Sequence, residues 1–173
     1  MKIIKPSYTI LEQQPGIDGV LQMIELAGRT CYKSEDKITE DSAKPFVDRM
    51  INSKHYAMLE HGTVYLKIPF GKMLDNGEFE NEALAHWFVD NPYSWVKTGG
   101  VGTEDCWYVT SNYRVLIEKD LLHTLQYLCE PTEFHEKRIT VHFVCDRGSS
   151  HEFVRHRVMS FAQESTRYRA IAA

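Results

Sequence analysis

Apolar positions in the first third of the chain recur with a helical period. Over residues 16–31, Val20, Leu21, Ile24, Leu26 and Ala27 form a stripe close to 3.6 residues per turn, which predicts an amphipathic helix. A polar stretch over 33–37 leads into Thr39, Glu40, Asp41 and Ser42, a run rich in N-cap residue types. A second helix should follow, with Phe46, Val47, Met50 and Ile51 on one face and Pro45 tolerable near its first turn. Beyond the segment His55-Tyr56-Ala57-Met58-Leu59-Glu60-His61-Gly62, residues 63–70 read as a strand stopped by Pro69.

Residues 71–136 are punctuated by Gly71, Asn76-Gly77, Asn91-Pro92 and Gly99-Gly100, turn signals that divide the region into short pieces. A short helix is expected over 82–89 and a strand over 106–110. A better helix is expected over 120–129, where Leu121, Leu122, Leu125 and Leu128 recur. With no repeat, low-complexity tract or linker in sight, this stretch reads as elaboration of one domain spanning 1–173. Residues 138–145 then alternate apolar and polar side chains as a half-buried strand does. Asp146-Arg147-Gly148 supplies a turn. Ser149-x-x-Glu152 fits a capping box, so a helix is expected from Ser149 with Phe153, Val154, Val158 and Phe161 as its buried stripe.

Composition narrows the classes. At 173 residues the chain is the size of one domain with one sizeable core, and 43% hydrophobic with 25% charged residues is ordinary for a globular protein. No apolar run approaches the roughly 20 residues that span a bilayer. The start, Met1 to Pro6, is too short and too quickly interrupted for a secretory signal, so a cytoplasmic location is expected. A net charge of −4 argues against a nucleic-acid binder, which ordinarily carries a basic excess. Cys31, Cys106, Cys129 and Cys145 are scattered without a C-x-x-C pair. They read as small apolar residues rather than as a zinc set, a disulfide framework or a nucleophile.

The candidate chemistry lies near the end of the chain. Arg155, His156 and Arg157 are consecutive, and on a helix they would fan over about 200°, enough to line two adjoining pockets. Glu152 lies three and four residues earlier and can orient Arg155 or His156. Farther on, Ser160, Gln163, Ser165, Thr166 and Arg167 form a dense donor set, in which Ser165 and Arg167 would share one side of an extended backbone. Arginine forks suit phosphate oxygens, and a local basic cluster in an acidic chain points to a small anionic ligand. An isolated basic triplet is ordinarily a solvated face; its combination with a core-anchoring stripe is what argues for a site. No metal site is expected, since His151 and His156 are five apart and miss the helical i, i+4 pairing.

Arg155-His156-Arg157, seven intervening residues, then Ser165-Thr166-Arg167-Tyr168 resembles the signature of the flavin-dependent thymidylate synthases, the ThyX family. Upstream, 55–61 is similar to that family's His-x-x-x-x-Glu-His segment, and 145–152 to the approach to the signature in one of its branches. The resemblance covers roughly 1–70 and 137–168, with 71–136 similar to an insertion found in some members.

The resemblance implies an α/β fold with helices packed around a mainly antiparallel sheet. It also implies reductive methylation of dUMP to dTMP, with methylenetetrahydrofolate and NADPH as co-substrates and FAD as cofactor. His55, Ala57, Arg155, His156, Arg157 and Gln163 would meet FAD. Glu152, Arg155, Gln163, Glu164, Ser165 and Arg167 would meet dUMP, with Arg155 and Ser165 shaping the catalytic site. Ala57 stands where the family has a hydroxyl, so only its backbone can serve there. Glu60 and His61 read as structural. The resemblance further implies a homotetramer; no nucleic acid and no membrane are expected as partners, from the net charge and the lack of a spanning apolar run. Family members continue for several tens of residues past the signature, so the chain reads as truncated at its C-terminus, and Ser111-Asn112-Tyr113-Arg114 has residue types suited to the contacts that part supplies. Two other readings stand beside the enzyme: a non-catalytic flavin- and nucleotide-binding homologue, and a phosphate-responsive interaction protein using Arg155 and Arg157.

Overall fold

The computed structural model describes residues 5–101, 104–156 and 159–165. Two helices come first after a short strand, β1 (Ser7–Leu11): α1 (Gly16–Tyr32) and α2 (Ala43–Asn52). Their apolar stripes face each other as the periodicity predicts. Val20, Leu21 and Ile24 of α1 and Phe46, Val47 and Met50 of α2 are all buried, and Pro45 sits in the first turn of α2. Gly28 lets the two helices approach, because a Cβ there would fall 2.5 Å from the Phe46 ring. A 3-10 helix, Tyr56–His61, packs under α1 and delivers the chain into β2 (Thr63–Pro69).

β2 is paired antiparallel with β4 (Glu104–Asn112), which is paired antiparallel with β3 (Trp95–Val101), giving the order β2-β4-β3. Val64, Leu66 and Ile68 alternate along β2 and are fully buried in one core with Leu59, Phe88, Val109 and Leu116. Burying a side chain of this size contributes about 1.5–3 kcal/mol, so this face holds much of the fold. The opposite face is covered locally by Phe134 and His135: the Phe134 ring stacks on Tyr108 at 4.7 Å and His135 meets Tyr65 edge-on at 5.4 Å. The fold is therefore mixed α/β with antiparallel sheets. Residues 71–136 contribute β3, β4, α3 (Glu82–Val89) and α4 (Tyr113–Glu118), so this stretch supplies two of the three strands of the main sheet.

Several expectations are corrected. Gly99-Gly100 is not a turn but part of β3, and Gly99 is needed because a Cβ would stand 2.8 Å from the Phe134 ring lying over it. The helix expected over 120–129 is a 3-10 helix, Leu122–Tyr127, and the regular turns come earlier as α4, capped by Asn112 accepting from the Val115 N–H at 3.1 Å. β5 (Thr140–Val144) pairs with β1 in a second, two-stranded sheet, and its His142, Phe143 and Val144 are exposed rather than half-buried by alternation. The helix expected from Ser149 is α5 (Arg147–Phe153). Asp146 caps it by accepting from both the Ser149 N–H and the Ser149 hydroxyl, which leaves that hydroxyl no role as a cap. α5 stops at Phe153, and Phe153 and Val154 are exposed, so the expected stripe is not buried at these two described positions beside Arg155 and His156.

No described helix is long and apolar enough to cross a membrane.

Candidate functional site

The C-terminal end of α1 organises the candidate site. α1 closes on Lys33 in the left-handed region (φ 51°), whose N–H returns to the Thr30 carbonyl. α2 ends in a tight turn through Lys54 (φ 56°) that brings the His55 N–H onto the Met50 carbonyl at 2.8 Å. These two turns set Tyr32 beside His55, and the Tyr32 hydroxyl and His55 Nδ1 are hydrogen-bond partners at 2.5 Å.

Residues 159–165 return to this end as an irregular strip. Ser160 Oγ donates to Glu60 Oε2 at 2.6 Å, and the Phe161 backbone lies close enough to the His61 ring to favour its charged form. Ala162 packs on the core. Gln163 Nε2 donates to Ser150 Oγ at 2.6 Å, tying the strip to α5. Glu164 accepts from Lys33 Nζ at 2.8 Å, and the Ser165 N–H donates to the Cys31 carbonyl at 3.0 Å. His55 and the pair Glu164-Ser165, far apart in sequence, thus gather around the end of α1, with Gln163 reaching from the same strip to α5.

Arg155 and His156 lie in a turn after α5, not on a helix: the Arg155 N–H donates to the Glu152 carbonyl and the His156 N–H to the Phe153 carbonyl. The Arg155 guanidinium meets Glu152 Oε2 at 2.9 Å, with the two side chains 72% and 65% exposed. The described contacts join Arg155 to Glu152, not to His55 or Ser165. Ala57 is exposed on the 3-10 helix and offers no side-chain donor. Arg157, Thr166, Arg167, Tyr168 and Val158 lie outside the described residues.

Behind the strip, Glu60 Oε1 accepts from Arg114 Nη1 at 2.6 Å, while Arg114 Nε and Nη2 both reach Glu118. The hydrogen bond to Glu118, ahead of that to Glu60, holds the guanidinium above its usual range. Burial pushes the His61 ring below its ordinary value, opposed by Glu60 and by the Phe161 backbone, and its Nε2 is buried with no partner among the described residues. Burial also raises the Cys31 thiol, and it drives Cys129 up to about 11, so neither is poised as a nucleophile near neutral pH. A cavity of about 430 Å³ lies elsewhere, between β1 and the main sheet, and its lining includes none of the residues expected to bind FAD or dUMP.

Tyr32 and Lys33 are the residues sequence reasoning missed. Tyr32 carried only the signal of closing a helix just before a polar run; Lys33 carried none, since its partner is 131 residues away.

The sequence finds a counterpart in one comparison. No curated protein and no solved structure matches the chain. Among family models, the one described as thymidylate synthase complementing protein matches residues 118–172, so the last third of the chain, from the end of α4 through the signature, is related to that family.

Proposed function

We propose that the chain acts as a flavin-dependent thymidylate synthase, methylating dUMP to dTMP with methylenetetrahydrofolate and NADPH through FAD. The observation that carries this reading is the meeting of two separated segments that resemble the family, the upstream His-x-x-x-x-Glu-His segment and the end of the signature. Residues 55–61 and 160–165 meet where Ser160 hydrogen-bonds Glu60, and the later segment falls within the family match.

The donor set suits ligands that carry phosphates. Arg155 keeps an exposed guanidinium that spends one N–H on Glu152 and leaves the rest of its fork available to an anion. His156 is exposed beside it. Gln163 and Ser165, on the strip, would hold the nucleotide with Glu164 alongside, and Arg157 and Arg167 would add positive charge. Glu152 would orient Arg155. His55, fixed by Tyr32, and the backbone at Ala57 would approach the cofactor from the N-terminal side. FAD, when bound, supplies the redox chemistry, and the chain's task is to hold and orient its ligands. No cysteine nucleophile enters this scheme. By the same resemblance the working form is a homo-oligomer, a tetramer whose subunits share sites.

A yellow purified protein whose flavin spectrum changes on adding dUMP, and which forms dTMP when folate and NADPH are supplied, is the expected result. A chain that stays colourless with added FAD and binds no dUMP sinks the proposal. Ala57, lacking the family's hydroxyl, favours one second reading: binding without turnover. Ligand binding with no dTMP formed would select it.

A further inference from the structure

We propose that Arg114 is a positioning residue for the strip 159–165: it fixes Glu60 so that Glu60 holds Ser160, and so sets where Gln163 and Ser165 stand. For its consequence on dUMP this rests on the reading above; for the strip itself it rests on geometry alone.

The guanidinium is a three-way bracket. Its Nε and Nη2 lie 2.9 and 2.8 Å from Glu118 Oε1, one turn along α4, which leaves Nη1 aimed at Glu60 Oε1 at 2.6 Å. Glu60 then has its second oxygen free to accept from Ser160 at 2.6 Å. Arg114 is itself fixed from two sides. Asn112 caps α4, and the Tyr113 N–H donates to the Gly62 carbonyl at 2.9 Å, which ties the start of α4 to the turn that carries Glu60 and His61. Glu60 is 28% exposed at its side chain. Without Arg114 it can turn to water, and Ser160 loses a defined acceptor.

The consequence follows from the strip having no secondary structure of its own. It is held at Ser160 at one end and at Glu164 and Ser165 at the other. With no ladder or helix to hold its register, the strip passes a displacement at Ser160 along the backbone to Gln163 and Ser165. A lysine at 114 could meet one carboxylate at a time but could not bridge two in a fixed plane.

The test measures amide hydrogen exchange over 159–165 in the full ligand-free chain, for Arg114→Met, Arg114→Lys, Glu60→Gln, Ser160→Ala and the double variant Arg114→Met/Ser160→Ala. Lys44→Met, which removes an exposed pair with Asp48, is the control. Arg114→Met and Ser160→Ala should each speed exchange of the strip about tenfold, as loss of one charge-assisted hydrogen bond does. The double variant should add nothing further, Arg114→Lys and Glu60→Gln should fall between, and the control should not change. With dUMP, KM should rise by a similar factor at unchanged kcat in Arg114→Met, and Arg114→Lys should recover part of it. Unchanged exchange in both Arg114→Met and Glu60→Gln, or additive effects in the double variant, overturns the proposal. A wild-type chain that binds no dUMP instead defeats the functional reading, and the exchange data still decide whether Arg114 sets the strip.

Discussion

His61 and Phe161 lie close together across most of the chain: the Phe161 backbone favours the charged form of the His61 ring, whose Nε2 is buried without a hydrogen-bond partner among the described residues. Burial holds this imidazole below the ordinary range of a histidine, so the folded protein keeps it neutral where the unfolded chain would already protonate it. The sign follows by linkage. The stability from neutral His61 is fully present above about 6.5 and is lost as pH falls through the lower folded value. His135 is lowered by burial too and acts in the same direction. Melting temperature is therefore expected to fall between pH 7 and about 5, with His61→Asn showing a shallower acid slope than wild type. Equal slopes would assign the whole effect to other groups.

Arg155 separates binding from stability. Its guanidinium is 72% exposed and paired only with Glu152 among the described contacts, and an exposed pair of this kind contributes about 0.5 kcal/mol or less. Arg155→Ala should leave denaturant midpoints nearly unchanged. If the proposed function holds, the same substitution weakens FAD or dUMP binding about tenfold or more, the usual loss for a charge-assisted hydrogen bond to an anion. Titration of the flavin spectrum reads it directly. An unaltered affinity for both ligands would remove Arg155 from the site.

How much of this was legible beforehand depends on where each partner lies. α1, α2, α3 and β2 follow local apolar periodicity, and local periodicity is written in contiguous residues. β3 hid behind Gly99, whose place in a strand is explained by Phe134, a residue distant in sequence. β1 and β5 form a two-stranded sheet, so neither strand carries the burial alternation of a sheet packed on a core. α5 was displaced by two residues because Asp146 and Ser149 compete for the same cap and the carboxylate takes it. In the site, the Glu152–Arg155 pairing could be read from a three-residue spacing. Tyr32 beside His55, Lys33 beside Glu164 and Arg114 beside Glu60 could not, because tertiary packing alone brings them together.

Glu25 is the most demanding residue of the helical layer. It is 1% exposed, accepts from Arg29 at 3.0 and 3.1 Å through one oxygen, and accepts from the Ser42 hydroxyl at 2.8 Å through the other. Arg29 also lies over the Phe46 ring at 4.8 Å. Glu25→Ala would leave a buried guanidinium without its carboxylate and should cost about 3–5 kcal/mol in denaturant unfolding. A Glu25→Leu/Arg29→Met pair, which removes both charges, should cost much less than Glu25→Ala alone. If the double variant is the worse of the two, packing rather than charge dominates here.

Gly62 links the core to the site and can be probed by size alone. Its backbone (φ −81°, ψ 100°) suits any residue, so a substitution there meets no conformational strain. It does meet α1: a Cβ would stand 2.7 Å from Ile24 Cδ1 and 2.8 Å from both Ile24 Cγ1 and Val20 Cγ1. The neighbours are the ends of packed side chains in a buried cluster, so Gly62→Ala should destabilise by about 1–3 kcal/mol as overpacking does. Ile24→Val removes the nearest atom. Combined with Gly62→Ala it should recover part of the loss, leaving the double variant more stable than the sum of the single effects predicts. Gly77 gives the contrast: nothing lies within 4 Å of its added Cβ, but φ is +86°, so Gly77→Ala carries a conformational cost of about 1 kcal/mol that Ile24→Val cannot relieve. Because His61 precedes Gly62 and Tyr113 hydrogen-bonds the Gly62 carbonyl, Gly62→Ala should also speed exchange of the strip 159–165, which Gly77→Ala should not.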